Sequence, residues 1–491
     1  MAGQGKKKEI PSALDCNLIE NAEYAKLFLE FSQKFSEENV FALSKNERHR
    51  LKLSDTPFAY VNYKDDKRYE DNTRRIWTGR WVGRATFIPS EGKKAVTLEV
   101  TPRFGNFSIF AMIEEAFSCN IVKSKGKQQA STENNSLMDL LIPFIWSHKL
   151  SQANQYGVPH NNVEHIYKGP AIKGRLDVRK SIIPLFREHQ VVSIKREKQV
   201  DEPIAQIITQ AYKKVSGKIK VRLSPNAENA LNAFYSMRYP QRYVSENEYR
   251  KIHYKPIYYS FKDIVDFSWQ IIKARKQAET EGNNESFSGF LDMAEIWEIY
   301  LRSILRKNFS EFGWVVESPA IKVYDDAFWS REIIPDIVMT KGNDVVIFDA
   351  KWKKMEGKRA KVEYSDLDRS DFFQIHSYIS YYKAIGKRVV LAGLLYPLED
   401  KEDNEEDDKD FLKFLKQIKE KGVVASNLWG EDDNTQFVVS GILLKKQPEK
   451  IDEKNDDEYK KQYDQYKKDM KNNETAFVNH IKILLGEVEE T

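Results

Sequence analysis

The sequence predicts a multidomain protein of mixed α+β and α/β class, with an N-terminal region of β-hairpin and helices ahead of a C-terminal α/β core. Three observations carry that prediction. Two alternating apolar runs, "RRIWTGRWVGRATFIP" (74–89) and "KKAVTLEVTPRFGN" (93–106), flank a Gly-containing turn, as a hairpin requires. Residues 290–396 read in the order helix, strand, hairpin, helix, strand. Between these regions, "QAETEGNNESFSG" (277–289) is polar and rich in Gly, Asn and Ser, the composition of a domain boundary. The expected organisation is therefore a flexible tail at 1–12, an N-terminal docking or DNA-handling region at 13–276, a linker at 277–289 and a core domain at 290–491.

In order along the chain, apolar residues recurring every three to four positions predict helices at 107–122 and 135–152. "YKGPAIKGRLDVRKSI" (167–182) is turn-rich and basic. Helices follow at 203–215, at 225–237 behind Ser224 as N-cap and Pro225 at the first position, and at 261–276. "FLDMAEIWEIYLRSILRKNF" (290–309) reads as one helix with Phe290, Met293, Trp297, Leu301 and Ile304 along a stripe. Strands are expected near 314–318, 320–325, 332–340 and 344–351, then a helix at 371–384 and strands at 388–396 and 437–444. Residues 399–410 carry nine acids in twelve positions and read as a solvated insertion. The C-terminal region is a charged helix or linker at 453–473, followed by an amphipathic helix at 476–488.

Composition narrows the function classes. No run of 18 apolar residues occurs, so no membrane helix is expected, and "MAGQGKKKEIPS" lacks the apolar segment of a secretory signal. The two cysteines, Cys16 and Cys119, are far apart, which argues against a disulfide framework or a zinc site and for a cytoplasmic protein. No G-x-x-x-x-G-K-[ST] phosphate loop occurs, so nucleotide hydrolysis through that motif is not expected. The net charge of +4 decides little, but 173–222 holds thirteen Lys and Arg against five acids. That stripe is either a solvated face or an attraction for phosphate backbones.

The stretch "IIPDIVMTKGNDVVIFDAKWK" (333–353) sets charges inside a strand-forming run. Gly342-Asn343 suits a two-residue hairpin loop. Lys341 then faces Asp344, and the same register carries Asp336 opposite Asp349, their Cβ atoms ~5 Å apart. Alternation puts Lys351 on the same face, about 7 Å along. Like charges opposed in a buried sheet destabilise it, and a divalent cation between them removes the conflict. Oxygen ligands of this kind suit Mg2+ or Mn2+, with Asp336 and Asp349 as the metal ligands. Lys351 would orient or deprotonate a water, or neutralise charge on a phosphate, so metal-assisted phosphodiester hydrolysis is the expected chemistry. A surface hairpin with its carboxylates in water is the alternative. It conflicts with apolar residues on both faces: Ile337, Met339, Val346 and Phe348 on one, Val338, Val345 and Ile347 on the other.

Pro335-Asp336 followed by Asp349-Ala350-Lys351 resembles the PD-(D/E)xK nuclease motif, and the order of elements around it matches that restriction-endonuclease-like fold. The resemblance adds two candidate site residues, Glu298 on the preceding helix and Gln374 on the following one; each could equally be a polar residue on an exposed helix face. "VTLEVTPRFGN" with Pro102 and Arg103, Gly174–Asp177 in "GRLDVRKSI", and Glu202-Pro203 resemble the McrC nuclease-subunit family of McrBC-type, modification-dependent restriction systems, over about 75–445. That resemblance implies a DNA endonuclease subunit and a partner, an McrB-like AAA+ GTPase hexamer that recognises modified double-stranded DNA. It also implies that the chain inserts its N-terminal region into the ring and stimulates GTP hydrolysis. A stand-alone repair or recombination nuclease, and a non-catalytic DNA-binding scaffold, are the rival expectations.

Overall fold

The computed structural model describes residues 10–43, 56–62, 75–90, 94–118, 137–216, 223–236, 241–280, 288–324, 332–353, 369–399, 416, 423–427, 434–448 and 456–489. The acidic run from 400 to 410, Cys119 and the polar segment SKGKQQASTENNS at 124–136 lie outside them. The chain forms two compact units, Met1–Leu141 with Ala274–Thr491, and Ile142–Lys273.

The first unit contains the expected hairpin. Trp81–Phe87 and Val96–Thr101 pair antiparallel, with Ala85 opposite Leu98. Ser12–Leu14 adds a parallel strand to one edge, so part of the expected N-terminal tail is sheet. Gly289–Asp292 adds an antiparallel strand to the other edge, with Trp81 opposite Asp292. This pairing changes what lies on either side of the expected boundary. The strand Gly289–Asp292 returns to the N-terminal sheet, so residues from 274 onward group with 1–141, and the second unit ends at Lys273, just before the polar stretch. The approach is close enough to demand glycine: a Cβ on Gly83 would sit 2.2 Å from the Gly289 carbonyl oxygen. Phe290 is consequently a strand residue within an aromatic core with Phe31, Phe58 and Trp81, not part of the helical stripe. The helix starts at Met293 because Asp292 caps it, accepting from the Ala294 amide, and it runs to Phe309 with Met293, Trp297, Leu301 and Ile304 buried as predicted.

Six strands form the second sheet of this unit, in the order Val315–Glu317, Ile337–Lys341, Asp344–Ala350, Arg388–Glu399, Gln436–Leu444, Val423–Asn427. Asp344–Ala350, Arg388–Glu399 and Gln436–Leu444 are mutually parallel, and the outer pairings are antiparallel. Such central strands are covered on both faces. Val338, Val345 and Ile347 pack with Ile375, Tyr378 and Ile379 of the helix Arg369–Ala384. From the preceding helix, Trp297 donates its indole N–H to the Leu395 carbonyl. At the C-terminus a single helix, Asp456–Leu484, replaces the expected charged segment and separate last helix. Tyr459, Tyr463, Tyr466, Met470, Phe477 and Ile481 recur at helical spacing and are buried, so the apolar stripe is continuous beneath the charges.

The second unit is mainly helical, with one small and largely exposed sheet. The predicted helices appear as Glu202–Ser216 and Pro225–Tyr235, the latter with Ser224 accepting from the Ala227 amide. The basic turn-rich segment is more ordered than its composition suggests. His160–Gly169 and Val191–Val200 form a ten-residue antiparallel ladder, with Arg175–Leu176 on its far side. Val178–Glu188, capped by Asp177, is the helix between these strands.

Candidate active site

The hairpin at 337–350 has the predicted register. Lys341 faces Asp344, Ile337 faces Phe348, and Gly342 in the loop takes φ +61°, a conformation glycine adopts without strain. The expected Asp336–Asp349 pairing differs in detail. The ladder ends at Ile337, and Asp336, just beyond it after Pro335, instead accepts a hydrogen bond from the Ala350 amide through Oδ2 at 2.8 Å. Its carboxylate replaces the backbone partner that the ladder would have supplied there.

Strand alternation brings Asp349 and Lys351 to the face covered by the helix Arg369–Ala384. Asp349 is fully buried, and neither of its oxygens meets a donor in hydrogen-bonding geometry; its Oδ2 lies against the Lys351 ammonium. Burial pushes the Asp336 carboxyl well above the ordinary carboxylate range, and the neighbouring charges of Asp349 and Glu298 push it further. Asp349 is raised as well, by burial, against the lowering effect of Lys351. Burial opposes the charge on Lys351, but Asp349, Asp371 and Asp336 outweigh it, so the ammonium is held charged with its pKa above the usual value.

The two residues added by resemblance differ in placement. Gln374 reaches the site: its Oε1 accepts from Lys351 Nζ at 3.1 Å, and its Nε2 donates to the Tyr378 hydroxyl at 2.9 Å. Tyr378 in turn donates to the Ile334 carbonyl at 3.1 Å, tying this helix to the strand that enters Asp336. Glu298 is near enough for its charge to raise Asp336, while its own Oε1 pairs with Arg302 at 2.9 Å. It borders the site and adds to its negative field.

Sequence reasoning missed Asp371. It is buried, 3.3 Å from Lys351 Nζ through Oδ1, and accepts from Lys353 Nζ at 2.8 Å through Oδ2. The signal was the spacing of Asp371, Gln374 and Tyr378, which puts all three on one helix face. Asp15 was also missed. It is fully buried, accepting from the Trp352 indole and the Arg103 amide at 2.6 Å each, and so ties the segment just after Lys351 to the N-terminal sheet. Arg103 lies over the Trp352 ring, 4.7 Å from its centroid. Cys16 alongside donates to the Trp352 carbonyl, and burial and the Asp15 charge push its thiol up to about 12.

Among the described residues no group of three or more His, Cys, Asp and Glu side chains converges as a metal-ligand set. The candidate is therefore the Asp336–Asp349 pair. It fits a hard divalent cation that retains most of its waters, because two buried carboxylates meet there and the Lys351 ammonium against Asp349 offsets only part of their charge.

The model of the McrBC 5-methylcytosine restriction system component family matches residues 78–397. Among solved structures, a refined half-complex from a tetradecameric assembly of Thermococcus gammatolerans McrB AAA+ hexamers with bound McrC is similar at 15% identity and a TM-score of 0.42, covering 92% of this chain and 99% of that one. The Thermococcus gammatolerans McrBC complex is similar at 14% identity and a TM-score of 0.31, covering 61% of this chain and 87% of that one. The comparison with curated proteins gave no match. The family model spans well over half of the chain and includes the whole Asp336–Lys351 hairpin, so this protein belongs to the McrBC 5-methylcytosine restriction system component family.

Proposed function

We propose that the chain is the DNA-cleaving subunit of a GTP-dependent restriction system, a magnesium- or manganese-dependent endodeoxyribonuclease of PD-(D/E)xK type. It acts on modified double-stranded DNA in the cytoplasm with a partner AAA+ GTPase, whose turnover it stimulates. The observation that carries this reading is the convergence of Asp336, Asp349 and Lys351 at the buried end of one hairpin. When bound there, a divalent cation supplies charge stabilisation for the phosphodiester under attack and lowers the pKa of a water. Asp336 and Asp349 would hold it. The Ala350 amide orients the Asp336 carboxylate, and Lys351 offers a fixed positive charge to a non-bridging phosphate oxygen. Gln374 and Tyr378 hold that lysine against the strand, where a loose four-carbon stem would otherwise sample many rotamers.

Docking to the GTPase is supported by the second unit. Its helix Val178–Glu188 exposes Ile182, Ile183 and Phe186, the last at 80%, beside Arg179, Lys180 and Arg187. An apolar face rimmed by charge is the composition of an interaction surface.

The test is reconstitution of the full chain with an McrB-like GTPase, GTP, Mg2+ and 5-methylcytosine-containing plasmid. Asp336→Ala, Asp349→Ala and Lys351→Ala should each lower cleavage about a thousandfold or more, several kcal/mol of transition-state stabilisation, while GTPase stimulation persists. Phe186→Glu should weaken GTPase binding instead. Wild-type cleavage by Asp349→Ala would remove the assignment. Cutting by the isolated chain without any GTPase would favour a stand-alone repair or recombination nuclease.

A further inference from the structure

Lys351 has two carboxylates within reach, and the reaction needs only one of them free. The ammonium lies against Asp349 Oδ2 and is 3.3 Å from Asp371 Oδ1, with Gln374 Oε1 at 3.1 Å. The Asp371 side chain is only 5% exposed. Its other oxygen, Oδ2, accepts from Lys353 Nζ at 2.8 Å, which fixes the carboxylate with Oδ1 toward Lys351. Asp371 also stands in the first turn of the helix Arg369–Ala384, where unpaired amides favour a negative charge.

A cation on the Asp336–Asp349 pair and the Lys351 ammonium compete for Asp349. A largely buried ammonium that loses its counter-ion is strongly disfavoured, so without a second carboxylate Lys351 would resist the exchange. Gln374 is neutral and supplies one hydrogen bond without charge. We propose that Asp371 is a positioning residue: it takes the Lys351 ammonium from Asp349 as a divalent cation enters the Asp336–Asp349 pair, and holds it at the edge of the site. The inference rests on the nuclease reading above. Asp371 favours cation binding through Lys351, without ligating the cation.

The experiment measures Mn2+ binding to the full chain by calorimetry, with thermal melts to establish that each variant is folded. Asp371→Asn should weaken Mn2+ binding about tenfold, the worth of one hydrogen bond to a charged group. Asp371→Ser, which removes the carboxylate with less crowding, is measured in parallel and should do the same. In a Lys351→Met background, Asp371→Asn should change the affinity by no more than about twofold, since the residue it acts through is gone. Equal weakening in both backgrounds would show that Asp371 acts by its charge on the cation, and would overturn the positioning role. So would an unchanged affinity in the wild-type background. Asp336→Ala separates the two levels. If it leaves Mn2+ binding intact, no cation sits on the carboxylate pair and the nuclease reading fails, taking this inference with it. If binding needs Asp336 but not Asp371, only the positioning role fails.

Discussion

Asp336 and Asp349 occupy positions where two apolar side chains would stabilise the sheet more. Burial and mutual repulsion raise both carboxyls, so the metal-free hairpin carries electrostatic strain that only Lys351 and the Ala350 amide offset. A ligand that binds the folded state alone should relieve it. Mg2+ or Mn2+ at a hundred times its dissociation constant should stabilise the wild-type protein by about 2.7 kcal/mol. The double variant Asp336→Ala/Asp349→Ala should lose that response in a thermal-shift titration. An equal shift in both proteins would place the ions elsewhere, the acidic run at 399–410 being the first suspect. At this scale the Asp–Asp–Lys set was legible, because charges inside an apolar β-run conflict with burial and stand out. Asp371 was not. An acid in a helix's first turn is ordinary, and its partner Lys351 is reached only through the packing of that helix on the hairpin.

The hairpin was the element read most completely. A two-residue loop leaves no freedom in register, so each opposed pair from Lys341–Asp344 to Ile337–Phe348 followed from Gly342-Asn343. Pro335 and the carboxylate of Asp336 changed only the last rung. Phe290 was misplaced because its spacing from Met293 and Trp297 fits a helical stripe, while an apolar residue in that position suits a strand equally well; pairing with Trp81–Phe87 decided it. The hairpin is also pinned from outside. Glu487, beyond the long C-terminal helix, accepts from Lys341 Nζ and from the Trp314 indole at 2.7 Å each. These bonds, Lys341 foremost, hold the Glu487 carboxyl below the ordinary range. A depressed carboxylate stabilises the fold above its unfolded pKa and loses that contribution as pH falls through the folded value. Glu487→Gln should therefore cost about 1 kcal/mol at pH 7, and the difference from wild type should shrink as pH falls below the ordinary carboxylate range and close as it passes the lowered folded value. Denaturant melts of both proteins across that range are the check; a gap that stays constant with pH would show that the ion pair contributes nothing.

Across the whole molecule, the compact units do not follow the chain in simple succession. The segments 1–141 and 274–491 belong together, joined by the pairing of Trp81–Phe87 with Gly289–Asp292 and by the hydrogen bond of Asp15 with Trp352. A cut at 280, natural from composition alone, would strip Gly289–Asp292 from its sheet and leave Phe290 and Trp81 uncovered. Fragment 281–491 should fail to show a cooperative thermal transition when expressed alone, and should regain one when co-expressed with 1–280. An independently folded 281–491 fragment, with a sharp melt, would show that the strand pairing is dispensable.

The sequence by itself determined the class of the fold, the hairpin and its register, the helices with continuous apolar stripes, and the Asp336, Asp349 and Lys351 set. All of these follow from short-range rules: side-chain period, loop length and the penalty for burying charge. Only the tertiary structure decided which strand completes the N-terminal sheet, that residues 274–491 group with 1–141, and that Asp371 and Asp15 brace the site. Those depend on contacts between residues far apart in the chain, such as Asp15 with Trp352, whose partners no local pattern names.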